Sequence, residues 1–293
     1  MKKMNFIFLL FLIILIFNFG CTNQGVSQNQ TVIPQGIYGL VITSFSTTRD
    51  TIGKNETVTL TLTMLNNGDE IASGINATLL GFGAFNITES RLNTNTARPN
   101  GTVYVIWRIK APSYKVINSM QARIFYDYST EGYVDALFVN ESLFRTCSAC
   151  TYGSERGPLP VNLSTDNPIV IHEDTGDAPF TLVINLKNTG KGKVFNDNIN
   201  SIVIEVPKDV SIVSHNCPNN WGEQVVGEVK LYTYNASSNL FDPCTRLVSA
   251  DYLRIRMEMN HPRAHDGLVT RIKVRVNYRY QIDSNFLRIE VTE

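Results

Sequence analysis

The chain has 293 residues, with 26 lysines and arginines against 26 aspartates and glutamates, and only 18% of its side chains are charged. A formal charge of zero without a basic cluster argues against a reader of nucleic acid, so none is expected as a partner. The length allows two ordinary domains beyond a leader, and plentiful Asn, Thr, Val, Ile and Tyr favour strands joined by polar turns.

Residues 1–20 open with Lys2 and Lys3, continue with the unbroken apolar run from Phe6 to Phe17, and close on Asn18-Phe19-Gly20 before Cys21. A charged head, an apolar middle of about 12 residues and a small residue before the break form the pattern of an export signal, short of the roughly 20 residues a bilayer span needs. A cysteine directly after the small residue resembles the processing site of prokaryotic lipoproteins, which implies lipidation at Cys21. An uncleaved anchor helix from Met4 to Gly20 is the competing reading. Both place the chain on the extracellular face of the cytoplasmic membrane, anchored at its N-terminus. Residues 21–36 are polar and aperiodic, and are expected to form a flexible tether.

Residues 37–145 carry the first strand pattern. Thr57 to Met64 alternates polar and apolar, with Val58, Leu60, Leu62 and Met64 on one face, which is the signature of a half-buried strand. Asn66-Asn67-Gly68 ends it as a turn whose residues tolerate left-handed backbone. Val103–Ile109, Gln121–Tyr128 and Val134–Val139 are three further expected strands. Residues 146–160 hold Cys147, Cys150 and a run rich in Gly and Pro, expected as a connector.

Residues 161–293 repeat the plan. Phe180–Leu186 and Asn188-Thr189-Gly190 match Val58–Gly68 without a gap. Ala122–Tyr128 matches Val274–Tyr280, and the match runs on to Val139 and Val291. Two matches in the same order point to an internal duplication. An extra segment of about 30 residues, around 205–250, holds Cys217, Trp221 and Cys244. Each copy is expected to form an antiparallel β-sandwich: an all-β chain of two tandem sandwiches. The expected cores are Val58, Leu60, Leu62, Trp107 and Ile124, and Leu182, Ile184, Leu186, Val274 and Val276.

At Gly53–Leu60, Leu65-Asn66-Asn67-Gly68 and Ala72, and again at Leu186–Gly190 and Val194, the chain resembles the Ig-like modules of prokaryotic surface proteins. These are the cell-adhesion-related domains (CARDB) and the similar repeats of archaeal S-layer-associated proteins. The resemblance implies seven-stranded sandwiches and a role in adhesion or surface architecture, with no catalytic residues to carry across.

With Cys21 assigned to the leader, four cysteines remain for two disulfides in an oxidising space. Three pairings are open, of which Cys147 with Cys150 and Cys217 with Cys244 is preferred. Candidate N-glycosylation acceptors are Asn29, Asn55, Asn76, Asn86, Asn100, Asn140, Asn162 and Asn235, which would have to lie on the surface. The competing explanation is that polar strands simply use Asn and Thr often.

Catalytic and metal signatures fail one by one. His261 and His265 flank Pro262 and read as exposed loop histidines without a third ligand. His172–Asp177 reads as a turn, a Ca²⁺ loop being the weaker alternative, and the single Asp174-Thr175-Gly176 lacks the partner loop of an aspartic protease. Cys147 and Cys150 lack a redox-domain context. No catalytic residue, metal or cofactor is expected. Candidate ligand contacts are Trp221, in a polar loop, and the Tyr278/Tyr280 pair, whose rings could stack on sugars or cap a core. The reading that follows is a non-enzymatic, membrane-anchored extracellular protein serving adhesion, envelope architecture or protein contacts, with envelope proteins or glycans as partners. A glycan- or peptide-binding module built on the second copy is the alternative. An accessory subunit of a secretion or surface-enzyme complex is the third.

Overall fold

A computed structural model describes residues 38–140, 150–218, 221–236, 242–247, 252–262 and 265–293. The leader, the tether, Cys21, Asn29 and Cys147 lie outside the described residues.

All regular structure among the described residues is β. The first half contains β1 (Leu40–Thr47), β2 (Thr51–Ile52), β3 (Thr57–Asn66), β4 (Ser73–Leu80), β5 (Asn86–Leu92), β6 (Thr102–Lys110) and β7 (Val116–Asn140). The second contains β8 (Tyr152–Ser154), β9 (Val161–Thr165), β10 (Ile169–Ile171), β11 (Ala178–Lys187), β12 (Lys193–Pro207) and β13 (Ser211–His215). It continues with β14 (Gly222–Val226), β15 (Val229–Asn235), β16 (Tyr252–His261), β17 (Val269–Asp283) and β18 (Leu287–Val291).

The duplication is visible in the sheets. One four-stranded sheet has the order β1-β3-β6-β5 and the other β9-β11-β16-β13, the same arrangement of equivalent strands. Alternation of small polar and large apolar residues builds each of them. In β3 the apolar face of Val58, Leu60, Leu62 and Met64 is buried while the threonines face outward. All ten expected core residues are buried.

Both sheets lie against one face of a ten-stranded sheet whose main path is β14-β15-β12-β17-β7-β18-β2, with β4, β8 and β10 paired to β7. Its axis is the antiparallel ribbon of β7 and β17, in register from Arg123↔Asp283 to Leu137↔Val269. Asp127 and Arg279 occupy equivalent places in the two copies and are also register partners. A pseudo-twofold axis therefore passes through that pair, and the sandwiches share one continuous sheet.

Two strands expected at Gln121–Tyr128 and Val134–Val139 are one 25-residue strand, β7. The reason is Gly132. Its lack of a side chain admits the backbone carbonyl of Val161 on β9, and the chain runs straight past it. β7 thus leaves the first half and ends in the second. There it pairs in parallel with β10 at Phe138–Asn140, and the Phe138 ring packs edge-on against Phe180 of β11 at 5.9 Å. In return β18 pairs with the start of β7 at Met120–Val116 and in parallel with β2 at Thr51–Ile52. Each copy supplies the strand that completes the other. The region expected as a connector joins in: β8 pairs with β7, and Leu159 is fully buried.

Candidate functional site

The inner face of the ribbon carries four tyrosines: Tyr126, Tyr128, Tyr278 and Tyr280. They are buried, and each ring meets a neighbour at 5.7–6.3 Å between centroids. Their hydroxyls accept from backbone N–H groups in matched pairs. Tyr126 accepts from the Leu40 N–H and Tyr278 from the Leu159 N–H, both at 3.2 Å. Tyr128 accepts from the Glu70 N–H and Tyr280 from the Gly192 N–H, both at 3.1 Å. Burial pushes the Tyr128 phenol up to about 12 and raises those of Tyr126 and Tyr278 as well, so they stay neutral hydrogen-bonding groups. Tyr278 and Tyr280 thus cap the core and offer no ring face to a ligand.

The same geometry explains the repeated Asn-x-Gly. The Asn66 side chain accepts from the Gly68 N–H and donates to the Glu70 carbonyl, and Asn188 does the same with Gly190 and Gly192. The Asn66-Asn67-Gly68 turn was expected to use residues that tolerate left-handed backbone, but neither Gly68 nor its equivalent Gly190 has a positive φ. They are needed because a Cβ at either would collide with a tyrosine hydroxyl, Tyr128 at Gly68 and Tyr280 at Gly190.

The outer face of the ribbon is different in kind. Between Arg123 and Tyr133 the outward side chains of β7 are half-buried. Toward the end of β7 this face closes, and Asp135, Leu137 and Val139 are buried. Cross-strand ion pairs lace the ribbon. Arg123 grips Asp283 through two nitrogens at 2.9 Å, Arg275 reaches Glu131 at 3.0 Å, and Arg271 grips Asp135 at 2.8 and 3.1 Å. Hydrogen bonds from Arg271, together with the Thr151 hydroxyl and N–H, hold the Asp135 carboxyl down at about 2.

One charged pair in this ladder stays open. Asp127 and Arg279 face each other in register, yet Arg279 lies over the Phe125 ring at 5.7 Å. The Asp127 carboxylate makes no hydrogen bond or ion pair among the described residues. It lines a trough of about 160 Å³ with Ile71, Ser73, Ser129, Asn200 and Asn277, and with two of the buried tyrosines, Tyr128 and Tyr278. Both strands flanking the ribbon bulge here, β4 between Ser73 and Asn76 and β12 between Val194 and Ile199. Left-handed residues at equivalent positions make the bulges, Gly74 (φ 58°) and Asn196 (φ 57°). In the sequence Asp127 stands between Tyr126 and Tyr128 and carries no motif of its own. The alignment of Asp127 with Arg279 was its available signal.

Trp221 is half-buried, its ring 5.1 Å from Tyr234 and 6.5 Å from His215. Nearby, the Cys217–Cys244 disulfide forms as expected, with Cα atoms 5.4 Å apart, and the buried Asp242 accepts from the Tyr234 hydroxyl at 2.8 Å. Cys150 is also disulfide-bonded. Asn55, Asn76, Asn86, Asn100, Asn162 and Asn235 are exposed and Asn140 is half-buried. His261 was expected in an exposed loop. It instead ends β16, buried with its ring 5.2 Å from Phe138, and burial lowers its pKa; His265 is exposed. Residues 172–177 form a turn closed by the His172 N–H to Asp177 carbonyl bond. Among the described residues no group of three or more His, Cys, Asp or Glu is placed to hold a metal.

No family model matches the chain, and no curated protein does. Solved structures show distant similarity to secreted and surface proteins. The secreted serine protease VesC from Vibrio cholerae is 13% identical with a TM-score of 0.21, over 85% of this chain and 50% of that one. The adhesin InvE from Yersinia pseudotuberculosis is 12% identical with a TM-score of 0.17, over 85% and 58%. The collagen adhesin CNA from S. aureus is 11% identical with a TM-score of 0.13, over 85% and 92%. The chain spans half the length of VesC and about a quarter of a chitinase from Bacillus thuringiensis. Scores this low carry no argument about function.

Proposed function

We propose that this chain is an exported recognition protein, held at its N-terminus on the outside of the cytoplasmic membrane and acting by contact, without catalysis. The observation that carries the reading is the open outer face of the ribbon. An antiparallel sheet commonly packs one face on the core and leaves the other to water. Here ion pairs stiffen the face, and at its centre one carboxylate and a trough are left open to solvent. A surface that rigid loses little conformational freedom on binding. The Cys217–Cys244 disulfide supports an oxidising compartment. Exposure of six candidate glycosylation acceptors suits an outside location. Attachment through lipid on Cys21 rests on Lys2, Lys3 and the Phe6–Phe17 run. Adhesion or envelope architecture, with envelope proteins or glycans as partners, is the role that fits.

The test combines fractionation with mass spectrometry of the mature protein. The chain is expected in the membrane fraction of intact cells, cleavable by added protease, with lipid on Cys21 and a release into the medium on Cys21→Ala. An intact Met1 with unmodified Cys21 in the membrane fraction would replace the lipid by an anchor helix. A cytosolic chain with reduced Cys217 and Cys244 would overturn the reading altogether.

A further inference from the structure

The geometry points to the trough beside Asp127 as a binding site for a single ring of a neutral saccharide. The inference rests on the reading of the chain as an extracellular recognition protein and gives that reading a place and a chemical class.

Asp127 carries the argument. Every other carboxylate of the ribbon's outer face is held by an arginine: Asp283 by Arg123, Glu131 by Arg275 and Asp135 by Arg271. Asp127 has an arginine directly across from it and does not use it, because Arg279 stacks on Phe125. That stacking is itself supported. Phe195, from the bulged start of β12, packs edge-on against Phe125 at 5.3 Å and is 37% exposed. The bulge that brings Phe195 there contains two adjacent left-handed residues, Asn196 and Asp197. Backbone strain of that kind is held in place by surrounding structure and gathers at binding sites.

The lining of the trough selects its ligand. An ionised carboxylate accepts two hydroxyl hydrogens side by side. Asn200 and Asn277 each offer a donor and an acceptor, although Asn277 already gives one hydrogen to Ser201 at 2.9 Å. Ser73 and Ser129 add hydroxyls, and Ile71, 49% exposed, adds an apolar wall. Alternating acceptors and donors around a small apolar surface match the equatorial hydroxyls and C–H face of a sugar ring. One carboxylate is too few for a tight cation site, and it repels an anion. The trough, of about 160 Å³, is small, which limits the ligand to a single ring. The Phe125–Phe195 pair beside it supplies an aromatic edge along which a longer glycan would continue.

The test uses the full-length chain and four probes, the methyl glycosides of glucose, galactose, mannose and N-acetylglucosamine, followed by saturation-transfer NMR and titration. Saturable binding of at least one probe is expected. Asp127→Ala should weaken it ten-fold or more, Asp127→Asn should weaken it less, and the remote Glu173→Gln should leave it unchanged. Unaltered melting of the Asp127→Asn protein secures the fold. Binding of none of the four probes, or equal binding by wild type and Asp127→Ala, overturns the assignment. Isolated cell envelope is titrated in parallel. Envelope binding without sugar binding removes the trough and leaves the recognition role standing; loss of both removes both.

Discussion

At the scale of the residue, the tyrosines show how one side chain joins sheet to loop. Each inner-face hydroxyl accepts a backbone N–H, and those of Leu40 and Leu159 are buried; an unsatisfied buried donor costs about 1–3 kcal/mol. Tyr126→Phe removes the bond to Leu40, and Tyr278→Phe removes those to Leu159 and Thr130. Both substitutions are expected to lower stability by about 1–3 kcal/mol, Tyr278→Phe the more, measured by urea unfolding at constant slope. Equal stability of all three proteins would show that the hydroxyls only fill space. The tyrosines and the Asn-x-Gly turns were legible in the sequence because the duplication printed them twice. What they bind was not legible, since Tyr128 and Glu70 are far apart in the chain and a period of two tells which face a ring takes, never which loop it meets.

At the scale of the element, β7 is a strand that alternation announced in two pieces. Alternation continues identically whether a strand folds back or runs on, so the pattern alone does not join Gln121–Tyr128 to Val134–Val139; Gly132, which admits the Val161 carbonyl, lets the strand run through. The ion pairs along β7 and β17 have a pH signature. The Asp135 carboxyl sits at about 2 in the folded chain against roughly 3.9 in an unfolded one. Its folded pKa is depressed, so its contribution is complete above about pH 4 and fades as the pH falls toward 2. Asp135→Asn should therefore cost about 2–4 °C in melting temperature at pH 7. The gap between wild type and variant should close as the pH is taken from 4 to 2. Arg271 is half exposed, which keeps the effect modest. A gap that stays constant down to pH 2 would assign the loss to packing instead.

At the scale of the whole molecule, the exchange of β7 and β18 makes two sandwiches into one cooperative body. Neither half keeps its sheet if the other opens, because Phe138 belongs to the core of the second half and Ile289 and Val291 help close the first. Calorimetry at neutral pH should record a single unfolding transition with matching calorimetric and van't Hoff enthalpies. Two separated peaks would contradict the shared sheet. The architecture of strands and sandwiches was readable from composition and repeats, whereas the joining of the two halves was not, because equivalent strands carry the same pattern whichever copy they complete.

The exchange also sets an order of events in time. The first half acquires β2's partner only when β18 arrives, and among the described strands β18 comes after all the others in chain order. Until then the start of β7 has a bare edge, and the most distant contacts of the fold are the ones that close it. The first half therefore cannot complete its sheet before strands of the second half have been made.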